Sequence, residues 1–148
     1  MKSFFSAFAL VFAATLSAHA SDWTTDYKAA LEKAKTENKL VLLDFTGSDW
    51  CGYCKLLDKE VFTQPEFNHF ADQTYILVTV DFPHGKQLSD DLKNQNDALN
   101  KKFKIDGFPT LIVIDADGKE LGRQVGYNPG TGPNAVVSKL KSFDTRSQ

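Results

Sequence analysis

The sequence predicts an α/β domain, with a mixed β-sheet of about four strands flanked by helices on both faces. Three observations carry that expectation. Leu40-Val41-Leu42-Leu43-Asp44-Phe45 is a nearly unbroken apolar run of strand length, the pattern of a strand buried on both faces. Stretches of helical period separate the strand-like runs, so successive strands are joined by crossovers and lie parallel. Asp115-Ala116-Asp117-Gly118 links two further strand-like runs by a tight turn, which adds an antiparallel edge.

The elements follow in order. Thr24 or Thr25 is suited to cap a first helix with Asp26 in its first turn, and Tyr27, Leu31 and Ala34 share one face of it. Lys and Glu fill the opposite, solvated face, and Asn38 ends the helix. The apolar strand comes next, then the turn-rich Thr46-Gly47-Ser48-Asp49. From Cys51 the period becomes helical, with Cys54, Leu57 and Val61 on one face, so Cys51 stands at a helix N-terminus. Thr63-Gln64-Pro65-Glu66 reads as a capping box opening a short helix that carries Phe67, Phe70 and Ala71. Residues 75–82 are a second strand, broken by Pro83-His84-Gly85. Leu88, Leu92, Leu99 and Phe103 space another helix. Residues 110–114 and 120–125 form the hairpin, and Pro133 opens a last helix with Val136, Leu140 and Phe143 inward.

Residues 1–20 read as a secretory signal. Lys2 supplies the charge, residues 4–16 the apolar stretch, and Ala18-His19-Ala20 the small-residue pattern before a cut ahead of Ser21. The apolar stretch is shorter than the ~20 residues that span a bilayer, so no stable membrane anchor is expected. Residues 21–148 are then one domain, periplasmic or secreted. The formal charge of −2, with no basic stripe, argues against nucleic acid as a partner.

Cys51 and Cys54 are the two cysteines of the chain, so an intramolecular disulfide can only join them. A loop this short removes little entropy from the unfolded chain, which makes the bond a poor staple and points to one that opens and closes. A thiolate is the nucleophile in such exchange, and backbone N–H groups at a helix N-terminus favour it. Cys51 is therefore the attacking sulfur, and Cys54, one turn in and less exposed, the resolving one. A structural disulfide and a zinc site are the alternatives. For zinc, His69 and His84 are much farther apart than finger spacing requires.

With these motifs in hand, the chain resembles the thioredoxin superfamily. Asp44-Phe45 followed by Trp50-Cys51-Gly52-Tyr53-Cys54-Lys55 is similar to its active-site segment, and Gly107-Phe108-Pro109-Thr110-Leu111 to its cis-proline loop. Gly126 falls where the family often has glycine, and the likeness runs over residues 39–143. Residues 44–50 and 57–62 look closer to exported, single-domain bacterial thioredoxin-like proteins than to cytosolic thioredoxin. The resemblance implies a thioredoxin-like fold and thiol-disulfide exchange through Cys51 and Cys54. It implies a cis Pro109 facing Cys51, exposing the backbone edge of Phe108 to an extended client segment. It implies that Asp44 is the buried carboxylate beneath Cys54, although the link from Asp44 to Cys51 is one residue longer than in cytosolic thioredoxin. Trp50 shields the disulfide or simply packs beside it.

No cofactor or metal is called for. The expected partners are cysteine-containing exported proteins and an unidentified redox partner. Disulfide isomerisation is an alternative activity, since Gly52-Tyr53 matches the filling of periplasmic isomerases. Metal delivery through two thiolates is a more distant one. Glu60 reads as part of a solvated helix face, two turns from Cys51. Residues 83–96 are longer than in thioredoxin and read as a solvated loop and helix, or as a partner surface.

Overall fold

The computed structural model describes residues 21–147, so the expected signal at 1–20 lies outside it. Among the described residues the order is β1 (Trp23–Thr24), α1 (Tyr27–Glu37), β2 (Leu40–Thr46), α2 (Gly52–Leu57), a π-helical turn (Asp58–Phe62), α3 (Pro65–Thr74), β3 (Tyr75–Asp81), α4 (Asp90–Phe103), β4 (Thr110–Ile114), β5 (Glu120–Val125) and α5 (Gly132–Lys141). The sheet runs β1-β3-β2-β4-β5. β3 is parallel to both β1 and β2, while β4 is antiparallel to β2 and β5.

β2 is the centre of the molecule, and all seven of its residues are buried. The two-residue period of a strand sorts them onto opposite faces. Leu40 and Leu42 join Leu57, Phe67 and Leu140 in one core, while Val41, Leu43 and Phe45 join Ala30, Leu99 and Phe103 in the other. Each such fully buried Leu or Phe stabilises the fold by roughly 1.5–3 kcal/mol relative to exposure. Asp44 has the parity of Leu40 and Leu42. The apolar pattern that builds the sheet therefore also sends this carboxylate to the face packed under α2, α3 and α5, with Thr79 of β3 and Leu111 of β4 opposite it.

Several local expectations are modified. β1, only two residues long, makes the sheet five-stranded and lies parallel along β3. Its presence moves the first cap. Asp26 is the N-cap of α1 and accepts from Ala29 N–H at 2.9 Å, while Thr24 belongs to β1. The capping box at Thr63 does not form. Gln64 is the N-cap of α3 and makes no side-chain bond there, because the π-helical turn engages Thr63, whose hydroxyl donates to Lys59 O at 2.8 Å. Pro65 starts α3 through its fixed φ instead. Leu88 precedes α4, and Phe143 follows α5.

Candidate active site

After β2 the chain turns sharply, with the backbone N–H groups of Trp50 and Cys51 both donating to Gly47 O at 3.3 and 2.9 Å. This turn delivers Cys51 to the N-cap of α2 in extended conformation. Cys51 and Cys54 are joined by a disulfide with Cα atoms 5.3 Å apart, and Cys51 Sγ accepts the Cys54 N–H at 3.2 Å. That amide is one of the unpaired donors at a helix start, and it would hold a thiolate on Cys51 after reduction. Cys54 was expected to be less exposed than Cys51, but the two are 5% and 6% exposed. Their asymmetry comes from what surrounds them.

Behind Cys54 lies a cleft of about 300 Å³, lined also by Asp44, Thr46, Lys55, Asp58 and Thr79. Asp44 is 8% exposed, and its Oδ1 has no hydrogen-bond partner. Burial raises the cost of its charged form, and the nearby Asp58 and Asp81 carboxylates add to it. The Asp44 carboxyl is pushed from 3.8 up to about 8. The longer link to Cys51 leaves Asp44 lining the same cleft as Cys54.

The link from β2 to Cys51 is a hydrogen-bonded zipper. Ser48 donates to Asp81 through its N–H at 2.9 Å and its hydroxyl at 2.6 Å. Asp49 accepts the His84 and Gly85 N–H groups at 3.0 and 2.6 Å, and these bonds hold its carboxyl below the usual carboxylate range. Trp50 Nε1 donates to Phe82 O at 2.8 Å. The indole stacks on His84 at 4.6 Å and meets Phe108 edge-on at 5.8 Å. It also lies over Gly47 so closely that a Cβ there would overlap the ring. Thus the start of residues 83–96 is fastened to the active-site link rather than free in solvent.

The Phe108–Pro109 peptide is cis. Pro109 O accepts the Gly126 N–H at 2.8 Å, and Pro109 lines a groove of about 520 Å³ together with Tyr53, which is 58% exposed. Gly52 is exposed, and nothing in the structure explains a glycine there. Glu60 is not part of a solvated face. Its Oε2 accepts the Tyr127 hydroxyl at 2.6 Å and the Gly130 N–H at 2.7 Å. Among the described residues, no group of three or more His, Cys, Asp or Glu side chains is placed to hold a metal ion.

The structure therefore brings Cys51, Cys54 and Asp44 together, and groups Trp50 with Phe108 and Tyr53 with Pro109. Sequence reasoning missed Ser48, Asp49, Asp58 and Asp81 around the site. The one-residue extension of the link was the available signal for the first two, which lie in that link.

A CxxC disulfide at a helix start, on a sheet with a buried carboxylate beneath the second cysteine, defines the class: this is a thiol-disulfide oxidoreductase. The chain belongs to the thioredoxin-like domain family, whose profile matches residues 27–141. It is 42% identical over 116 residues to the disulfide bond reductase DsbH of Chlamydia pneumoniae, covering 78% of this chain and 69% of DsbH. It is 34% identical over 112 residues to the thioredoxin-related protein DsbJ of the same organism, covering 76% of this chain but only 32% of DsbJ. A solved structure titled DsbH Oxidoreductase superposes with a TM-score of 0.81 at 38% identity, covering 93% of this chain and 94% of that one.

Proposed function

We propose that this oxidoreductase works outside the cytoplasm and reduces disulfides in exported proteins, with Cys51 attacking and Cys54 resolving. The observation that carries the division of labour is the buried, unpartnered Asp44 in the cleft behind Cys54. Cys51 thiolate attacks one client sulfur, breaking the client disulfide and releasing one client thiol. Cys54 gives its proton to the Asp44 carboxylate and attacks Cys51 Sγ. The second client thiol leaves, and two electrons have passed from the cysteine pair to the client. A carboxyl raised to about 8 retains appreciable affinity for a proton near neutral pH, as a base for a thiol needs. A separate dithiol partner restores the reduced pair.

The reductive direction is supported by the 42% identical relative, named a disulfide bond reductase. It is also supported by Gly52-Tyr53, which places no histidine between the cysteines to stabilise the thiolate. The extracytoplasmic address rests on the signal-like residues 1–20. Titration of the Cys51–Cys54 pair against a dithiol buffer should give a potential near ~−270 mV, and a value near ~−120 mV would reverse the proposed direction. Cys54→Ser should trap client proteins on Cys51, whereas equal trapping by Cys51→Ser would overturn the assigned roles.

A further inference from the structure

We infer that Glu60 is a positioning residue for the client groove: it holds the 126–131 loop, one wall of that groove, to the helical segment that starts at Cys51. This rests on the disulfide-exchange reading and adds a residue that sets how polypeptide clients are bound.

The wall begins where Gly126 N–H meets Pro109 O at 2.8 Å and ends as α5 begins at Gly132. Between these anchors the backbone turns through Gly126 and Gly130 at φ of +77° and +81°. Glycine occupies that left-handed region without steric penalty, and it contributes no side chain that would fix the loop. Thr131 is tied within the same loop, to Asn128 O through its hydroxyl at 2.9 Å and its N–H at 3.3 Å, and to Tyr127 through its side chain. The mid-loop connection to the cysteine-bearing segment is the Glu60 carboxylate. Two donors, the Tyr127 hydroxyl and the Gly130 amide, converge on one oxygen at 2.6 and 2.7 Å. A charged acceptor with two short donors is among the stronger hydrogen-bonding arrangements, and a neutral side chain would not reproduce it.

The local helix geometry helps to place Glu60. Thr63 N–H reaches back five residues to Asp58 O at 3.1 Å, which inserts an extra residue into the turn carrying Glu60. Tyr127 itself is buried in the core formed with Leu57 and Val136, so its ring is fixed and its hydroxyl is the end presented to Glu60. The residues so positioned, Tyr127, Asn128 and Pro129, line the same groove as Tyr53 and Pro109. Glu60 is absent from that lining and touches no reacting atom. Its effect on the reaction passes through the wall.

The test compares a polypeptide disulfide, insulin, with a small one, dithionitrobenzoate, whose reduction needs little of the groove. Losing a charge-assisted pair of bonds should raise KM for insulin about tenfold in Glu60→Ala, with kcat nearly kept and a smaller effect on the small disulfide. Glu60→Gln, which keeps one acceptor, should fall between the two. Tyr127→Phe should raise the insulin KM less, and adding it to Glu60→Ala should change little further, because the two share one bond. Hydrogen exchange at the Gly130 amide should quicken in Glu60→Ala. Should Glu60→Ala fail to fold, Tyr127→Phe carries the same comparison. Equal KM rises on both substrates, or a lowered melting temperature with KM unchanged, would overturn the inference. A wild-type protein that cycles with the small disulfide but never reduces insulin would instead sink the reductive client reading. Oxidation of a reduced, unfolded polypeptide by the disulfide form then gives the KM comparison for Glu60.

Discussion

Asp49, two residues before Cys51, and Asp44, in the cleft behind Cys54, are the same side chain doing opposite things. Asp49 is exposed, has a backbone amide on each carboxylate oxygen, and is held below the usual carboxylate range. Asp44 is buried, has an oxygen without any partner, and is pushed up to about 8. Burial, reinforced by the Asp58 and Asp81 carboxylates, raises Asp44, whereas the His84 and Gly85 amides lower Asp49. A satisfied carboxylate fastens a loop, whereas an unsatisfied one is ready to take a proton, at a cost in stability.

The largest expected effect comes from abolishing the contrast at Asp44. Asp44→Asn should slow resolution of the mixed disulfide about a hundredfold near pH 7, as loss of a general base does. The same change should stabilise the fold. Because the folded carboxyl titrates at about 8 and the free one at 3.8, the burial penalty is absent below pH 4, grows between these values and is complete above pH 8. Wild-type stability should therefore fall across that window, and urea denaturation of Asp44→Asn at pH 9 should show a gain on the order of 6 kcal/mol that vanishes at pH 4. A variant slower and less stable at pH 9 would contradict the account.

Next in size is Gly47→Ala. Its new Cβ meets the Trp50 ring, so the indole must leave Phe82 O and His84. A loss of about 1–3 kcal/mol is expected, as for other overpacked sites, along with altered tryptophan fluorescence. Asp49→Ala should loosen residues 83–85 with a pH signature opposite to that of Asp44. Its depressed carboxyl contributes stability above the ordinary carboxylate range and loses it as pH falls through the folded value, so variant and wild type should converge in acid. The smallest effect is expected from Asp58→Asn, which removes the secondary repulsion on Asp44 and should move the pH profile of resolution slightly downward. An upward move would show that Asp58 does not act by repulsion.

How far this contrast could be read in advance differs between the two aspartates. The apolar run around Asp44 fixed both the strand and, through its two-residue period, the face on which the carboxylate lies. That Oδ1 has no partner depends on what β1, α2, the π-helical turn and β3 bring to the cleft, and no local pattern records it. Asp49 lay in a stretch read only as a turn, because its partners His84 and Gly85 are 35 and 36 residues away. Glu60 was misread for the same reason, with Tyr127 and Gly130 at separations of 67 and 70. The π-helical turn broke the expected capping box by using Thr63, and a single inserted residue leaves no trace in helical periodicity. Two-residue β1 is shorter than any window in which alternation can be seen.

That short strand has a bearing on how the molecule behaves in a crowd. Trp23 and Thr24 pair with Leu77 and Val78, along the side of β3 turned away from β2. Without this cover, β3 would present unpaired amides and carbonyls flanked by Leu77 and Val78, an invitation to another chain's strand. Trp23 packs its ring against Phe62 at 4.8 Å, which keeps the cover seated. Two residues thus cover the middle of an edge strand along which a second copy of the chain could otherwise add as a sheet partner.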